Sequence, residues 1–119
     1  MIAKLSRIAP EIPASSLKES IDYYERKLGF RLAMQMPHGD YAIVERSGIA
    51  IHLFQDETRT HSPVGLHIFT PDLDALHTEL LERGAHLSQG ISRKPWGNRD
   101  FRVNDTFGNE LKFTEPSLT

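Results

Sequence analysis

The stretch PWGNRDFRVNDTFGNELKF, residues 95–113, determines the fold class more directly than any other part of the sequence. It predicts a loop, a strand, a tight turn at 105–108 and a second strand. Charged and apolar residues alternate along both strands, as they do when one face of a sheet packs on a core and the other faces water or a polar cavity. The charged residues expected on that second face are Asp100, Arg102, Glu110 and Lys112.

Length and composition predict one globular domain. The chain has 119 residues, of which 39% are hydrophobic and 25% charged, enough for a substantial core. Its formal charge of −2 argues against a nucleic-acid partner, which requires a concentrated basic face. The absence of cysteine excludes disulfides and thiolate chemistry, and it fits a reducing compartment. We expect a cytoplasmic protein without a membrane partner, because no apolar run approaches the ~20 residues of a span and no long apolar leader is present.

One pattern of secondary structure occurs twice along the chain. Residues 1–60 and residues 61–119 each predict a strand, a helix and three further strands, without a Pro/Gly/Ser-rich linker between them. The first helix is predicted at 17–28, since apolar residues recur on one face, Ser15-Ser16 provides a cap and Gly29 ends it. The pattern therefore predicts a single α+β domain of two βαβββ modules, whose strands form a curved mixed sheet around a cleft with the helices outside.

The predicted bounds of the other elements are as follows. The first module contains strands at 5–12, 30–34, 40–45 and 49–54, followed by a polar loop at 57–62. The second module contains strands at 64–69, 87–92, 100–103 and 110–113. Its helix follows a cap at 70–72 and ends at Gly84, and its apolar stripe is expected to consist of Leu73, Leu76, Leu80 and Leu81.

Three motifs resemble the vicinal oxygen chelate superfamily, also called the glyoxalase/bleomycin resistance protein/dioxygenase superfamily. Residues 15–30, SSLKESIDYYERKLGF, resemble its first helix and the Leu-Gly-Phe that follows. Residues 105–109, DTFGN, resemble its Asp-Pro-x-Gly-Asn turn. The Pro-Trp-Gly at 95–97, together with Phe101, resembles an element of the bleomycin-resistance branch. The resemblance runs over nearly the whole chain and implies the fold predicted above.

The resemblance also bears on metal binding. Metal-dependent members carry His or Glu ligands at four cleft-facing strand positions, which correspond here to residues near Ala9, His52, Gly65 and Lys112. Of these only His52 is a good metal ligand, so we expect neither a metal nor another cofactor. His67 lies two residues beyond Gly65 and therefore on the same face. A site formed by His52, His67 and Glu110 remains the alternative.

The expected cleft is lined by aromatic and charged side chains. In the resemblance, Tyr41 and Trp96 correspond to the two aromatic residues that stack on the drug in the bleomycin-resistance branch, and two such faces can hold a planar group. Packing of Trp96 against the core and an ordinary strand position for Tyr41 are the alternatives. The predicted ligand-binding residues are Tyr41, His52, Phe54, His67, Trp96, Asp100, Arg102, Glu110 and Lys112.

The predicted function is sequestration of a small planar or aromatic molecule by a bleomycin-resistance-like protein, without metal or catalytic residues. Arg102 and Lys112 in the cleft favour an acidic ligand over a cationic drug. The alternative is an enzyme of the same fold, of glyoxalase, lyase or isomerase type, acting on a small oxygenated substrate. The resemblance implies a homodimer, because family members commonly exchange modules across a two-fold axis to build their clefts.

Overall fold

The computed structural model describes residues 2–58 and 62–116, and part of the predicted loop at 57–62 lies outside them. Within this part of the chain, two helices and eight strands confirm the two βαβββ modules. No helix there has the length and apolar character needed to cross a membrane. In chain order the elements are β1 (Glu11–Ala14), α1 (Leu17–Leu28), β2 (Arg31–Gln35), β3 (Tyr41–Arg46), β4 (Ile49–Gln55), β5 (Gly65–Phe69), α2 (Leu73–Arg83), β6 (His86–Arg93), β7 (Arg99–Asn104) and β8 (Glu110–Thr114).

Each module forms its own four-stranded sheet. The strand orders are β1-β4-β3-β2 and β5-β8-β7-β6, and within each sheet the first pair is parallel and the other two are antiparallel. The sheet that was predicted to curve around a cleft is therefore divided into two sheets within one chain. The reason is that β1 and β5 stand at the edges of their sheets and pair only with strands of their own module.

Helix α1 has the bounds that the sequence predicts, because its ends carry local signals. The side chain of Ser16 accepts a hydrogen bond from the backbone N–H of Glu19, and the side chain of Gln55 accepts one from the N–H of Leu17 at 2.7 Å. These bonds satisfy donors that a helix N-terminus leaves free. Gly29 ends the helix in the left-handed conformation, with φ of 72°.

The first strand was predicted at 5–12, but it begins at Glu11. Strand β1 pairs in parallel with β4, and Glu11 lies opposite His52. Counting back three residues brings Ile8 opposite Ile49, where β4 begins. Residues 2–7 therefore have no strand of their own sheet to pair with. We call residues 2–10 the N-terminal arm; its first seven residues are all exposed.

The predicted apolar stripe of α2 was wrong at one position. Leu73 and Leu80 are buried, whereas Leu81 is 53% exposed. Successive helical residues are about 100° apart, so Leu81 cannot share the face on which Leu80 lies. The cap also differs from the prediction, because Asp72 makes no capping hydrogen bond with its side chain.

One hydrophobic core runs through both modules, between the helices and one face of each sheet. In the first sheet its members include Val44 and Leu53, and in the second they include Phe101. The ring of His77 on α2 meets the face of Phe101 edge-on, with 5.2 Å between the ring centroids. The helices thus cover one face of each sheet.

Buried hydrogen bonds of the turn before β8 join the two modules. One carboxylate oxygen of Asp105 accepts from the backbone N–H groups of Phe107 and Asn109 at 2.9 and 3.0 Å. The other accepts from the Tyr24 hydroxyl on α1 and from the Asn109 side chain, both at 2.9 Å. Asn109 also donates to the carbonyl of Pro13 on β1 at 3.1 Å. The turn of the second module is therefore bonded to α1 and β1 of the first.

We predict that Tyr24→Phe lowers the free energy of unfolding by about 1–2 kcal/mol, because the buried Asp105 oxygen loses a hydrogen-bond donor. Urea unfolding at pH 7 measures the change. Tyr41→Phe is a matched control: its hydroxyl also donates to a carboxylate, but in an exposed hydrogen bond, so its effect should be smaller. Equal losses in the two variants would contradict a special contribution of the buried bond.

Candidate ligand-binding site

The face of each sheet that the helices leave uncovered carries the predicted site residues. Along β4, Ile51 and Leu53 are buried in the core, whereas His52 and Phe54 lie half-buried on the opposite side. In β7 and β8, Phe101, Val103, Leu111 and Phe113 face the core, and Arg102, Glu110 and Lys112 lie on the opposite face, as predicted. We call the group Glu11, Tyr41, His52 and Phe54 open face A, and the group His67, Gln89, Lys94, Asp100, Arg102, Glu110 and Lys112 open face B.

On open face A, three adjacent strands bring together a carboxylate, a phenol and an imidazole. The Tyr41 hydroxyl lies 2.7 Å from a carboxylate oxygen of Glu11 and 2.7 Å from Nδ1 of His52. The hydrogen bond to Glu11 is the main reason that the pKa of Tyr41 is raised to about 12, followed by burial. Tyr41 therefore keeps its proton at neutral pH and donates it to the carboxylate, which is the charge-assisted arrangement.

This arrangement assigns the tautomer of His52. The single hydroxyl proton of Tyr41 is used by Glu11, so the hydroxyl oxygen must accept at Nδ1 and the ring proton of His52 lies there. In the neutral imidazole, Nε2 is then an acceptor. It is buried and has no hydrogen-bond partner among the described residues. A buried acceptor without a partner is costly, and a donor that reaches it would be stabilising.

On open face B, Asp100 is the most buried charged group, with 3% of its surface exposed. Its carboxylate accepts from the side chain of Gln89 at 2.8 Å and lies 3.3 Å from Nζ of Lys94 and 3.5 Å from Nε of Arg102. Burial alone would raise the pKa of Asp100. The hydrogen bonds from Gln89 and Lys94 and the charge of Arg102 outweigh burial and hold the pKa below its usual value.

The remaining charges of open face B form a looser row. Glu110 lies 3.7 Å from Nη1 of Arg102 and 3.8 Å from Nζ of Lys112. Nε of Arg102 is buried without a hydrogen-bond partner among the described residues. His67 is exposed and stacks on Phe69. Open face B carries one net positive charge, from Lys94, Arg102 and Lys112 against Asp100 and Glu110.

Trp96 lies in the loop between β6 and β7 and is 73% exposed. The backbone turns at Gly97, where φ is 107° and a conformation that favours glycine is required. The indole does not pack in the core. Packing in the core was the predicted alternative to a ligand contact. Among the described residues no ring contact joins Trp96 to Tyr41.

The structure does not bring the alternative metal ligands together. His52 belongs to open face A, whereas His67 and Glu110 belong to open face B. In residues 2–58 and 62–116 no group of three His, Cys, Asp or Glu side chains is placed to hold a metal ion. The side chains at the family's other ligand positions, Ala9, Gly65 and Lys112, do not provide a donor set for one.

The sequence interpretation missed three residues of the open faces: Glu11, Gln89 and Lys94. Strand alternation from Ala9 places Glu11 on the same face, so this signal was present in the sequence. Gln89 lies opposite Arg102 in the β6–β7 register, next to two irregularities in pairing. Those irregularities break the alternation along β6, and no sequence pattern indicated them.

The chain is similar to known proteins in sequence and in fold. The sequence matches the profile of the Glyoxalase/Bleomycin resistance protein/Dioxygenase superfamily over residues 4–113. A search of curated proteins found no match.

Several solved structures share the fold. A bleomycin resistance determinant encoded on the transposon Tn5 superposes with a TM-score of 0.82 at 19% identity, over 96% of this chain and 100% of that one. A bleomycin-binding protein complexed with bleomycin gives 0.81 at 18% identity, over 95% and 100%. Lactoylglutathione lyase from Agrobacterium tumefaciens gives 0.75 at 15% identity, over 95% and 96%. At these identities the likeness shows the fold alone.

We predict that neutral His52 carries its proton on Nδ1. Long-range ¹H–¹⁵N NMR at alkaline pH, where imidazoles are neutral, distinguishes the tautomers. In Glu11→Leu the Tyr41 hydroxyl loses its carboxylate and donates to Nδ1 instead, so the proton should move to Nε2. Glu11→Gln retains an acceptor for Tyr41 and should keep the original tautomer. A proton on Nε2 in the unmodified protein would contradict the assignment.

We also predict that Asp100→Asn lowers the free energy of unfolding by about 1–3 kcal/mol at pH 7, because Lys94 and Arg102 lose their buried carboxylate. The pKa of Asp100 is lower in the folded state, so its contribution is complete above the unfolded value near 4 and is lost as the pH falls through the folded value. The difference between variant and parent should therefore shrink at pH 3.

Urea unfolding at both pH values measures this difference. Asp22→Asn is the control, since Asp22 forms an exposed pair with Arg26 at 3.9 Å and should change stability by less than about 0.5 kcal/mol. A loss for Asp100→Asn that is the same at pH 7 and pH 3 would show that its charge is not responsible.

Proposed function

Because this chain belongs to the glyoxalase/bleomycin resistance protein/dioxygenase superfamily, we propose that it is a metal-independent binding protein for a small planar molecule that carries an acidic group. The observation that carries the proposal is the charge of open face B. Its cations outnumber its carboxylates, and Nε of Arg102, 3.5 Å from the carboxylate of Asp100, is buried without a hydrogen-bond partner among the described residues. A carboxylate or phosphate oxygen is the acceptor that forms the strongest hydrogen bond with such a donor.

The aromatic groups support a planar ligand. Tyr41 and Phe54 are half-buried on open face A, and Trp96 exposes most of its indole at the end of the other module. Aromatic faces stack on planar groups, and these side chains are accessible for such a contact. In the proposed site, the aromatic body of the ligand lies against Tyr41 and Trp96 and its acidic group lies near Arg102 or Lys112.

We propose that two copies of the chain complete this site. The modules of one chain are joined through the helices and the turn at 105–109, which are on the covered sides of the sheets. Neither open face takes part in joining the modules. Open face B of a second copy can therefore lie opposite open face A of the first copy. A two-fold dimer would form two equivalent clefts.

Two structural neighbours bind bleomycin or determine resistance to it, and this supports small-molecule binding as the class of function. The charge of open face B favours an anion rather than a cationic drug. The lactoylglutathione lyase neighbour represents the alternative, an enzyme. That alternative is weakened because three of the four ligand positions of metal-dependent members carry Ala9, Gly65 and Lys112.

We predict that planar aromatic carboxylates shift the fluorescence of Trp96, the only tryptophan. Trp96→Ala should weaken binding by about 1–3 kcal/mol, the range of an aromatic contact residue, with little change in stability because the indole is exposed. Fluorescence titration with acids that do not absorb at the excitation wavelength measures binding by the parent protein, and calorimetry measures it for the variant. Tighter binding of a bleomycin-type cation than of any acid would contradict the proposed charge preference.

A further inference from the structure

Open face A uses its hydrogen-bond donors within the face and leaves only acceptors for a ligand. Of its four residues, Phe54 has no polar atom in its side chain. The Tyr41 hydroxyl donates to Glu11, and the Nδ1–H that we assign to His52 donates to Tyr41. A phenol and a neutral imidazole have one donor each, and a carboxylate has none. Both donors of the four side chains are therefore used before a ligand binds.

One of the remaining acceptors is accessible. Oε2 of Glu11 accepts from Tyr41 at 2.7 Å, and Oε1 has no hydrogen-bond partner among the described residues. The Glu11 residue is exposed. The other free acceptor, Nε2 of His52, is buried. Glu11 is thus the polar group of open face A that a ligand contacts.

The carboxylate of Glu11 is both oriented and unneutralised. Its partner Tyr41 also accepts from His52, and the two rings meet edge-on with 5.6 Å between their centroids. A carboxylate held in this way loses little conformational freedom when it binds a cation. Within residues 2–58 and 62–116 no lysine or arginine forms an ion pair with Glu11. Its negative charge is therefore available to a ligand.

The two open faces consequently carry opposite charges. Open face A has one negative charge, on Glu11, and open face B has one net positive charge. In the proposed cleft these faces lie opposite each other. A ligand between them has a carboxylate on one side and ammonium and guanidinium groups on the other. This arrangement favours a molecule with a positive group at one end and a negative group at the other.

We propose that the ligand is a planar zwitterion, an inference that rests on the proposed function and specifies its ligand class. Its acidic group lies near Arg102 or Lys112, and a protonated amine at the opposite end of its ring donates to Glu11. A hydrogen bond between a cation and a carboxylate is roughly twice as strong as one between neutral groups. An aromatic acid without the amine would leave Glu11 enclosed in the cleft without a partner, which costs free energy.

Three small molecules of nearly equal size test the two charges separately. They are para-(aminomethyl)benzoate, which has both charges, para-ethylbenzoate, which has only the acid, and para-nitrobenzylamine, which has only the amine. The ethyl group has the shape of the aminomethyl group, and the nitro group has the planar shape of a carboxylate. Calorimetry at pH 7 measures each affinity. We expect the zwitterion to bind at least about fivefold more tightly than either of the others.

A pair of variants assigns the preference for the amine to Glu11. Glu11→Gln removes the charge but retains the side-chain length and an acceptor for Tyr41. In this variant the ratio of the affinities for the zwitterion and para-ethylbenzoate should fall below about twofold, while para-ethylbenzoate itself binds no more weakly. Glu19→Gln makes the same change in net charge at an exposed position of α1 and should keep the parental ratio. Equal urea midpoints of the two variants verify that both are folded.

The outcomes separate this inference from the proposed function. Equal affinities of the parent protein for the zwitterion and para-ethylbenzoate would overturn the zwitterion and leave binding of an acid standing. The same ratio in Glu11→Gln and Glu19→Gln would also overturn it, because the preference would then not come from Glu11. Binding of para-nitrobenzylamine as tight as that of the zwitterion, or no binding of either acid, would contradict the proposed function, and this inference with it.

Discussion

The buried carboxylate of Asp105 is the group on which the arrangement of the two modules depends. It accepts four hydrogen bonds, two of them from backbone N–H groups of its own turn and one from Tyr24 on the helix of the other module. A buried carboxylate is stable only when such donors surround it. Because the donors come from both modules, they can be satisfied together only when α1 lies against this turn. The hydrogen bonds of Asp105 and the hydrophobic core that runs through both modules together fix the relative position of the modules.

This constraint also leaves the functional surfaces free. The donors and acceptors that join the modules belong to the helices, to the turn at 105–109 and to the ends of strands, as in the pairs Arg46–Glu79 and Tyr23–Asn104. The side chains of the open faces therefore do not hold the two modules together. Within each face the side chains are nevertheless held in place, by Tyr41 between Glu11 and His52 on one sheet and by Asp100 among Gln89, Lys94 and Arg102 on the other. Groups fixed in this way lose little conformational freedom when a ligand binds.

The sequence predicted those features that depend on neighbours along the chain. The bounds of α1 followed from Ser16 and Gly29, which satisfy its ends locally. Alternation along β4, β7 and β8 gave the correct faces, because a strand of a half-buried sheet has to alternate. The errors occurred where residues distant in the sequence determine the secondary structure. The strand at 5–12 has apolar residues of the right type, but a strand needs a partner, and the partner for residues 2–7 is missing from the chain.

The site itself was predicted in part for the same reason. The residues on each face were found by alternation, but their hydrogen-bond partners depend on register between strands. Glu11 accepts from the Tyr41 hydroxyl, next to His52, because β1 pairs in parallel with β4 and Glu11 lies opposite His52. Gln89 lies opposite Arg102, between two irregularities in the pairing of β6 with β7, and donates to Asp100 from there. Register is fixed by the whole sheet and is not encoded in any one segment.

The residue at one ligand position of the metal-dependent members clarifies the chemistry that we propose. The resemblance places Lys112 at a ligand position of the metal-dependent members, and this residue carries an ammonium group where those members carry a metal ligand. Arg102, its opposite neighbour on β7, adds a second cation. A lysine and an arginine attract anionic oxygen as a metal does, but they neither activate water nor polarise a carbonyl to the same degree. In the proposed function, Lys112 and Arg102 attract an anionic oxygen of the ligand, and binding alone requires no more than this attraction.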